Sequence, residues 1–240
     1  MDNIIEEIEF LNHKYQITRF VILDENFTAN KEFVKHFCKK IISLNKKYEF
    51  VLPNGVRLDT LTEELLSFML KSGFSKRLSV GIESGSNKIL KLMNKKLTKE
   101  IINDKVNLMV KVGFKPIGYF IIGYPGESKD DIKETIKFAK ELKLYEAAFT
   151  CYIPMPGTST YEFLLKHESI CKSFDFTLLN TDKINYTPQG ITKKELLKLK
   201  RGGLLSFYLR PKQLFNLLLN INNFKFTVIK FLHIFSPQHF

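Results

Sequence analysis

Apolar residues recur along the first 152 residues or so in two alternating rhythms, a helical period and then a short continuous run. Ile4, Ile8, Leu11 and Tyr15 fall at steps of 4, 3 and 4 and predict an amphipathic helix, and Ile17 to Leu23 reads as a strand. Phe33, Phe37, Ile41 and Leu44 form the next helical stripe, followed by a strand over Glu49 to Leu52. Leu65, Phe68 and Met69 mark a short helix ending near Gly73, ahead of a third strand at Leu78 to Ile82. Ile101, Val106, Met109 and Val110 predict a helix closed by Gly113, and Ile117 to Ile122 a fourth strand. Ile132, Ile136 and Ala139 share one more helix, and Ala148 to Tyr152 is the fifth strand.

Strands at intervals of about thirty residues with helices between them predict βαβ units and a parallel sheet. Right-handed crossovers wind such units into an arc or a barrel. The opening helix has an apolar face and no strand ahead of it, so the repeat is expected to begin partway through a unit. Beyond Lys172 the rhythm changes. Thr177 to Pro188 reads as loop, Lys193 to Arg201 as a short basic helix, and Leu204 to Leu219 as an apolar stretch interrupted by Pro211. Phe224 to Phe235 alternates bulky apolar residues with Lys225, Lys230 and His233. Two regions are expected: a core over 1–170 and a basic, aromatic, mainly helical tail over 171–240.

Composition narrows the class. A hydrophobic fraction of 44% is ample for a core and excludes wholesale disorder. Of the net charge of +12, the tail from Cys171 onward carries +8, from eleven Lys and Arg against three Asp and Glu. Such a tail suits an anionic surface or an acidic partner, and equally a solvated face; nucleic acid is not the expected partner. Phe207, Phe215, Phe224, Phe231 and Phe235 stand among its cations, a pattern that fits peripheral membrane contact or a cover for the open side of the core. Cys38, Cys151 and Cys171 lie far apart, without ligand spacing or a disulfide framework. The acidic start at Met1-Asp-Asn-Ile-Ile-Glu-Glu is not a secretory leader, and no apolar run is long enough to span a bilayer, so a cytoplasmic protein is expected.

The candidate chemistry sits in the turns that follow the strands, where α/β proteins bind small molecules. Asp24-Glu25 follows the first strand; such carboxylates accept from an ammonium or a ribose, or simply cap a turn. Arg57, beyond the second strand, suits a zwitterionic ligand or an ordinary surface ion pair. Glu83-Ser84 follows the third strand, where a half-buried carboxylate needs a partner, and a helix-start cap is the plainer role. Gly123, Pro125 and Gly126 let the backbone approach a flat ligand such as a purine, or make a tight strand-to-helix turn capped by Ser128. Pro154, Pro156 and Gly157 stiffen the turn after the fifth strand.

In order, Asp24-Glu25-Asn26-Phe27, Arg57-Leu58-Asp59, Gly81-Ile-Glu-Ser-Gly, Gly123-Tyr-Pro-Gly-Glu and Pro154-Met-Pro-Gly-Thr resemble the radical S-adenosylmethionine (radical SAM) superfamily. The likeness is greatest to its branch with an upstream cobalamin-binding domain, and Tyr208-Leu-Arg-Pro in the tail is similar too. The resemblance implies a partial (β/α)6 TIM-like barrel, entered after its first strand, with a parallel sheet, outer helices and a helical C-terminal tail. It further implies that Glu25 holds the methionine amino group of SAM, and that Glu83 and Ser84 meet its ribose and carboxylate. Ile122 and Gly123 match the adenine motif, and Pro154 lines the far side.

One departure matters. The CxxxCxxC motif of the family, whose thiolates hold three irons of a [4Fe–4S] cluster, is absent from these 240 residues. The resemblance therefore implies a SAM ligand, a cluster for which this chain has no ligands, and cobalamin only through an upstream domain. One expectation is a truncated or split radical SAM enzyme of the methyl-transferring or rearranging kind, inactive alone and dependent on a segment or partner chain that carries the cluster loop. The other is a binding module for SAM or a nucleotide, without catalysis.

Overall fold

A computed structural model describes residues 1–167 and 184–219 of the chain. Cys171 and the alternating stretch from Phe224 lie outside the described residues, and with them most of the membrane reading. Parallel strands alternating with helices are the architecture found, as the residue pattern predicts. The strands are β1 (Arg19–Val21), β2 (Glu49–Val51), β3 (Arg77–Glu83), β4 (Lys115–Ile122) and β5 (Glu146–Cys151). β1 pairs with β2 in parallel, Phe20 opposite Phe50, and β3, β4 and β5 form a second sheet in that order. Among the described residues the strands do not close into a barrel.

The chain divides into two compact units, with the division running through β3 and β4. The first comprises Met1–Ile82, Leu97–Gly118 and Leu142–Tyr145. It holds α1 (Asp2–Tyr15), α2 (Lys31–Ser43), α3 (Glu63–Lys71) and α5 (Lys99–Val112). α2, α3 and α5 each begin on a polar cap, as Asn30, Thr62 and Thr98 accept from the main-chain N–H three residues on. The core of this unit is aromatic. Phe37, Phe50, Phe74 and Phe27 meet ring to ring at 5.3–6.2 Å. Parallel bridges from Phe50 to Phe74 and from Val56 to Val80 continue the pairing from β2 toward β3. The stripe on α1 differs from the expected one: Ile5 and Ile8 are buried, whereas Ile4 and Tyr15 face out, because the packed face is rotated by one residue.

The second unit comprises Glu83–Lys96, Tyr119–Glu141 and the chain from Glu146. Its helices are α4 (Asn87–Leu92), α6 (Lys129–Glu141), α7 (Ser159–His167), α8 (Lys193–Tyr208) and α9 (Pro211–Leu219). The expected basic helix is longer than its charges suggested. A capping box between Thr192 and Glu195 starts α8, and it runs on through the apolar residues to Tyr208. Pro211 then opens α9, where its missing N–H costs nothing. α8 packs on β5 and α6: Gly203 lies against Ile136 and Phe149, and Phe207 is fully buried. The hydroxyl of Tyr208 donates to the Ala147 carbonyl at 3.0 Å and accepts from the Ala147 N–H at 3.3 Å, so a helix satisfies main-chain groups of β5.

Strand parity decides which side chains are available. In β3 and β4 the even-numbered residues are buried, while Ser79, Gly81 and Glu83, and Ile117, Tyr119 and Ile121, stay partly or fully accessible. Wholly parallel sheets usually have both faces covered. Here each strand keeps one face half open.

Candidate functional site

In the first unit the turn after β1 is held by short polar contacts. Asp24 Oδ1 accepts from the Asn26 N–H at 2.7 Å, and Asn54 Nδ2 donates to the carbonyls of Leu23 and Asp24. Glu25 stands exposed at the tip of this turn. Arg57 makes a bidentate pair with Asp59, Nε to Oδ1 at 3.0 Å and NH2 to Oδ2 at 2.6 Å. Both groups are solvated, and the guanidinium holds the Asp59 carboxyl below its ordinary range. The surface ion pair is thus what Arg57 forms.

In the second unit the turn over Glu83 to Ser86 is bolted to α6. Ser84 lies on the buried parity of β3; its hydroxyl is 3.0 Å from that of Thr135 and accepts from the Ser86 N–H. A side chain at Gly85 would sit 2.7 Å from Thr135 Cα, so only glycine lets turn and helix come this close. Ser86 and Lys88 donate to Asp131 at 2.9 and 2.7 Å, as do the N–H and hydroxyl of Ser128. Those donors hold the Asp131 carboxyl far below its usual range, against the opposing effect of its burial.

Glu83 differs from its neighbours. It lies on the open parity of β3, its φ is +68°, and its side chain is 16% exposed. Oε1 accepts from Lys95 Nζ at 2.9 Å, while Oε2 has no partner among the described residues. A left-handed residue other than Gly or Asn costs about 1–3 kcal/mol, and a half-exposed ion pair returns only about 0–1 kcal/mol. The pair does not offset the strain. Strain that no local contact offsets marks Glu83 as a candidate position for binding.

The turn after β4 is built on Glu127, a residue that sequence reasoning quoted without giving it a role. Gly123 and Gly126 both have φ of +79°. One carboxylate oxygen of Glu127 accepts from the N–H groups of Gly123 and Tyr124; the other is buried and has no hydrogen-bond partner among the described residues. Burial, helped by the nearby Asp131 charge, pushes the Glu127 carboxyl up to about 7 against the pull of those N–H groups and of Lys88. Ile122 is fully buried, and its carbonyl accepts from the Tyr152 N–H. Leu196 of α8 covers Gly123 so closely that a Cβ there would meet it at 2.8 Å. Ser128 caps α6 by exchanging bonds with Asp131, the structural role foreseen for it. Pro154 is buried in the turn after β5, beside Tyr152, whose ring meets Tyr124 edge to face at 4.9 Å.

Of the sequence-predicted residues, Glu83, Ser84, Ile122, Gly123 and Pro154 thus belong to one compact unit, and Glu25 and Arg57 to the other. Within the second unit Glu83 offers a partly exposed carboxylate and Lys95 an ammonium, groups whose chemistry fits the hydroxyls and charges of SAM. Among the described residues no set of thiolates is placed to hold an iron–sulfur cluster. Cys38 is buried inside α2 and Cys151 at the end of β5, and burial pushes both thiols up, Cys38 to about 11. Among the described residues no three His, Cys, Asp or Glu side chains gather as metal ligands.

Residues 1–139 match the Radical SAM superfamily, and the chain belongs to it. It is 31% identical over 214 residues to an uncharacterised methyltransferase of Pyrococcus horikoshii, covering 89% of this chain and 46% of that protein. It is 26% identical over 215 residues to the anaerobic magnesium-protoporphyrin IX monomethyl ester cyclase of Cereibacter sphaeroides, covering 89% and 34%. The chain therefore spans less than half the length of these relatives. Its fold is similar to that of TsrM, a radical SAM methyltransferase of Kitasatospora setae solved with cobalamin and a [4Fe–4S] cluster. The TM-score is 0.59 at 15% identity, covering 68% of this chain and 30% of that one. Coproporphyrinogen III oxidase of Escherichia coli, a radical SAM enzyme, aligns with a TM-score of 0.56 at 17% identity, covering 80% and 40%. Among the described residues no helix is long and apolar enough to cross a membrane.

Proposed function

We propose that this chain is the SAM-binding part of a radical SAM enzyme of the methyl-transferring or rearranging kind, and that the cluster-bearing segment comes from outside these 240 residues. Such an enzyme supplies radical chemistry from SAM at a [4Fe–4S] cluster; this chain contributes the surface that receives the nucleoside. The observation that carries the reading is Glu83: a strained residue with a partly exposed side chain at the end of β3, next to the only cation that touches it among the described residues. Superfamily membership supports SAM as the ligand class. The methyltransferase relative and the fold of TsrM support methyl transfer, with cobalamin held by a further domain.

The test has two stages. Equilibrium dialysis of the purified chain with radiolabelled SAM is expected to show saturable binding that Glu83→Ala weakens about tenfold or more, the loss typical of a charge-assisted hydrogen bond. Co-expression with a segment bearing CxxxCxxC, followed by anaerobic reconstitution, is then expected to give a brown protein that forms 5′-deoxyadenosine on reduction. Absence of SAM binding in both preparations defeats the proposal. Binding by the chain alone, with no such product from the reconstituted pair, favours the second reading, a SAM-binding module without catalysis. The burial of Cys38 and Cys151 is the observation behind that second reading.

A further inference from the structure

The corner where α8 passes into α9 is built inside out. Gln213 is 3% exposed, while Lys212, Leu214 and Phe215 around it all face solvent, Phe215 at 60%. Leu209, which ends α8, is 55% exposed. A single exposed leucine carries no message, but a buried amide inside an outward-facing apolar group reverses the usual order of a globular surface. The corner is also fastened. Arg210 Nε donates to the Phe207 carbonyl at 3.0 Å, Nη1 donates to the Lys140 carbonyl, and the guanidinium lies 4.1 Å from the centre of the Phe207 ring. Phe207 is fully buried, so Leu209, Leu214 and Phe215 are held outward by a joint tied to the core.

Charge selects the partner. Lys212 stands within the apolar group, and Lys140 is exposed at the end of α6, its main chain tied to the same corner through Arg210. Further up α8, Lys193, Lys194 and Lys198 are exposed as well. From Cys171 onward the chain holds eleven Lys and Arg against three Asp and Glu. Apolar side chains rimmed by ammoniums complement an anionic bilayer surface, whose acyl boundary takes the first and whose phosphates take the second.

We propose that the α8–α9 corner is a membrane-contact site. Leu209, Leu214 and Phe215 enter the headgroup region of an anionic phospholipid bilayer, and Lys140 and Lys212 bind lipid phosphates. With so few apolar side chains the attachment is reversible and sensitive to salt. It stands apart from the reading of the chain as a SAM-binding protein and does not depend on it.

The sequence holds no tryptophan, so Phe215→Trp in the full chain makes the corner its own reporter. Added vesicles of equal parts phosphatidylcholine and phosphatidylserine are expected to shift its emission to the blue, and brominated acyl chains to quench it. Cosedimentation with the same vesicles is expected to weaken about tenfold or more when Leu209→Gln is combined with Phe215→Gln. Lys140→Gln combined with Lys212→Gln should cost about as much on these vesicles and nothing on phosphatidylcholine alone. Both pairs should keep the Tm of the parent, since all four side chains are exposed. No binding to the mixed vesicles, or binding that both pairs leave intact, overturns the proposal. A lower Tm in the apolar pair also overturns it, because the chain itself would then cover these residues. A change in oligomeric state in place of vesicle binding would assign the corner to a protein partner, and overturns it equally.

Discussion

Glu127 couples a turn to pH. Its carboxyl titrates near 7 in the folded chain, against an ordinary value of 4.5, chiefly because burial disfavours the charge. The folded chain therefore holds this proton more tightly than the unfolded chain, and stability falls as pH rises from about 4.5 to about 7. The full window corresponds to roughly 3 kcal/mol as an upper bound. Asp131, the neighbouring acid, has its carboxyl held low and acts below that window. Urea denaturation at pH 5 and at pH 8 is expected to show the parent less stable at the higher pH, and Glu127→Gln to flatten the difference. An unchanged difference would place the titration elsewhere. Glu83 gives the opposite kind of prediction. Its φ of +68° suits glycine, so Glu83→Gly should raise thermal stability by relieving about 1 kcal/mol or more of strain while weakening SAM. A variant that loses both stability and affinity would mean the carboxylate is structural.

At the scale of elements, α8 makes the main contact between the tail region and the sheet. Tyr208→Phe removes the hydroxyl that both gives to and takes from Ala147. Losing it should cost about 1–2 kcal/mol, or a few degrees in Tm for a chain of this size, as read by calorimetry. The order of strands and long helices was legible in the sequence because the apolar period changes at each boundary. α4 escaped, since a six-residue helix gives too few turns for a period to register, and α7 went unread although α3, of equal length, was legible. The contrast between Glu83 and Ser84 also escaped. Both follow the same apolar run, and only the pleat of β3 shows that one faces the open side and the other α6. Arg57-x-Asp59 could be read as an ion pair from spacing alone. Lys95 carried no signal, because it lies twelve positions from Glu83 and reaches it only through the closure of α4.

At the scale of the whole molecule, the hazard lies at β1. Among the described residues this strand has one neighbour, β2, and on it and just past its end two large apolar side chains are exposed, Val21 55% and Leu23 73%. An edge strand of that kind is a template for another strand, and the exposed Arg19–Glu49 pair is the charge at β1 that opposes it. The segment proposed to bring the cluster is expected to arrive here, since a right-handed crossover through α1 sets a preceding strand beside β1. Two outcomes follow for the chain by itself. Sedimentation velocity should show concentration-dependent association at modest ionic strength, despite a net charge of +12 that opposes it. Leu23→Lys, which places a charge at a position 73% exposed, should shift the distribution toward monomer without lowering Tm. The same substitution should weaken pull-down of a co-expressed CxxxCxxC segment, because a single surface would serve both. A variant that frees the monomer yet still captures the segment at full strength would separate self-association from complementation, and would move the docking surface for the cluster segment away from β1.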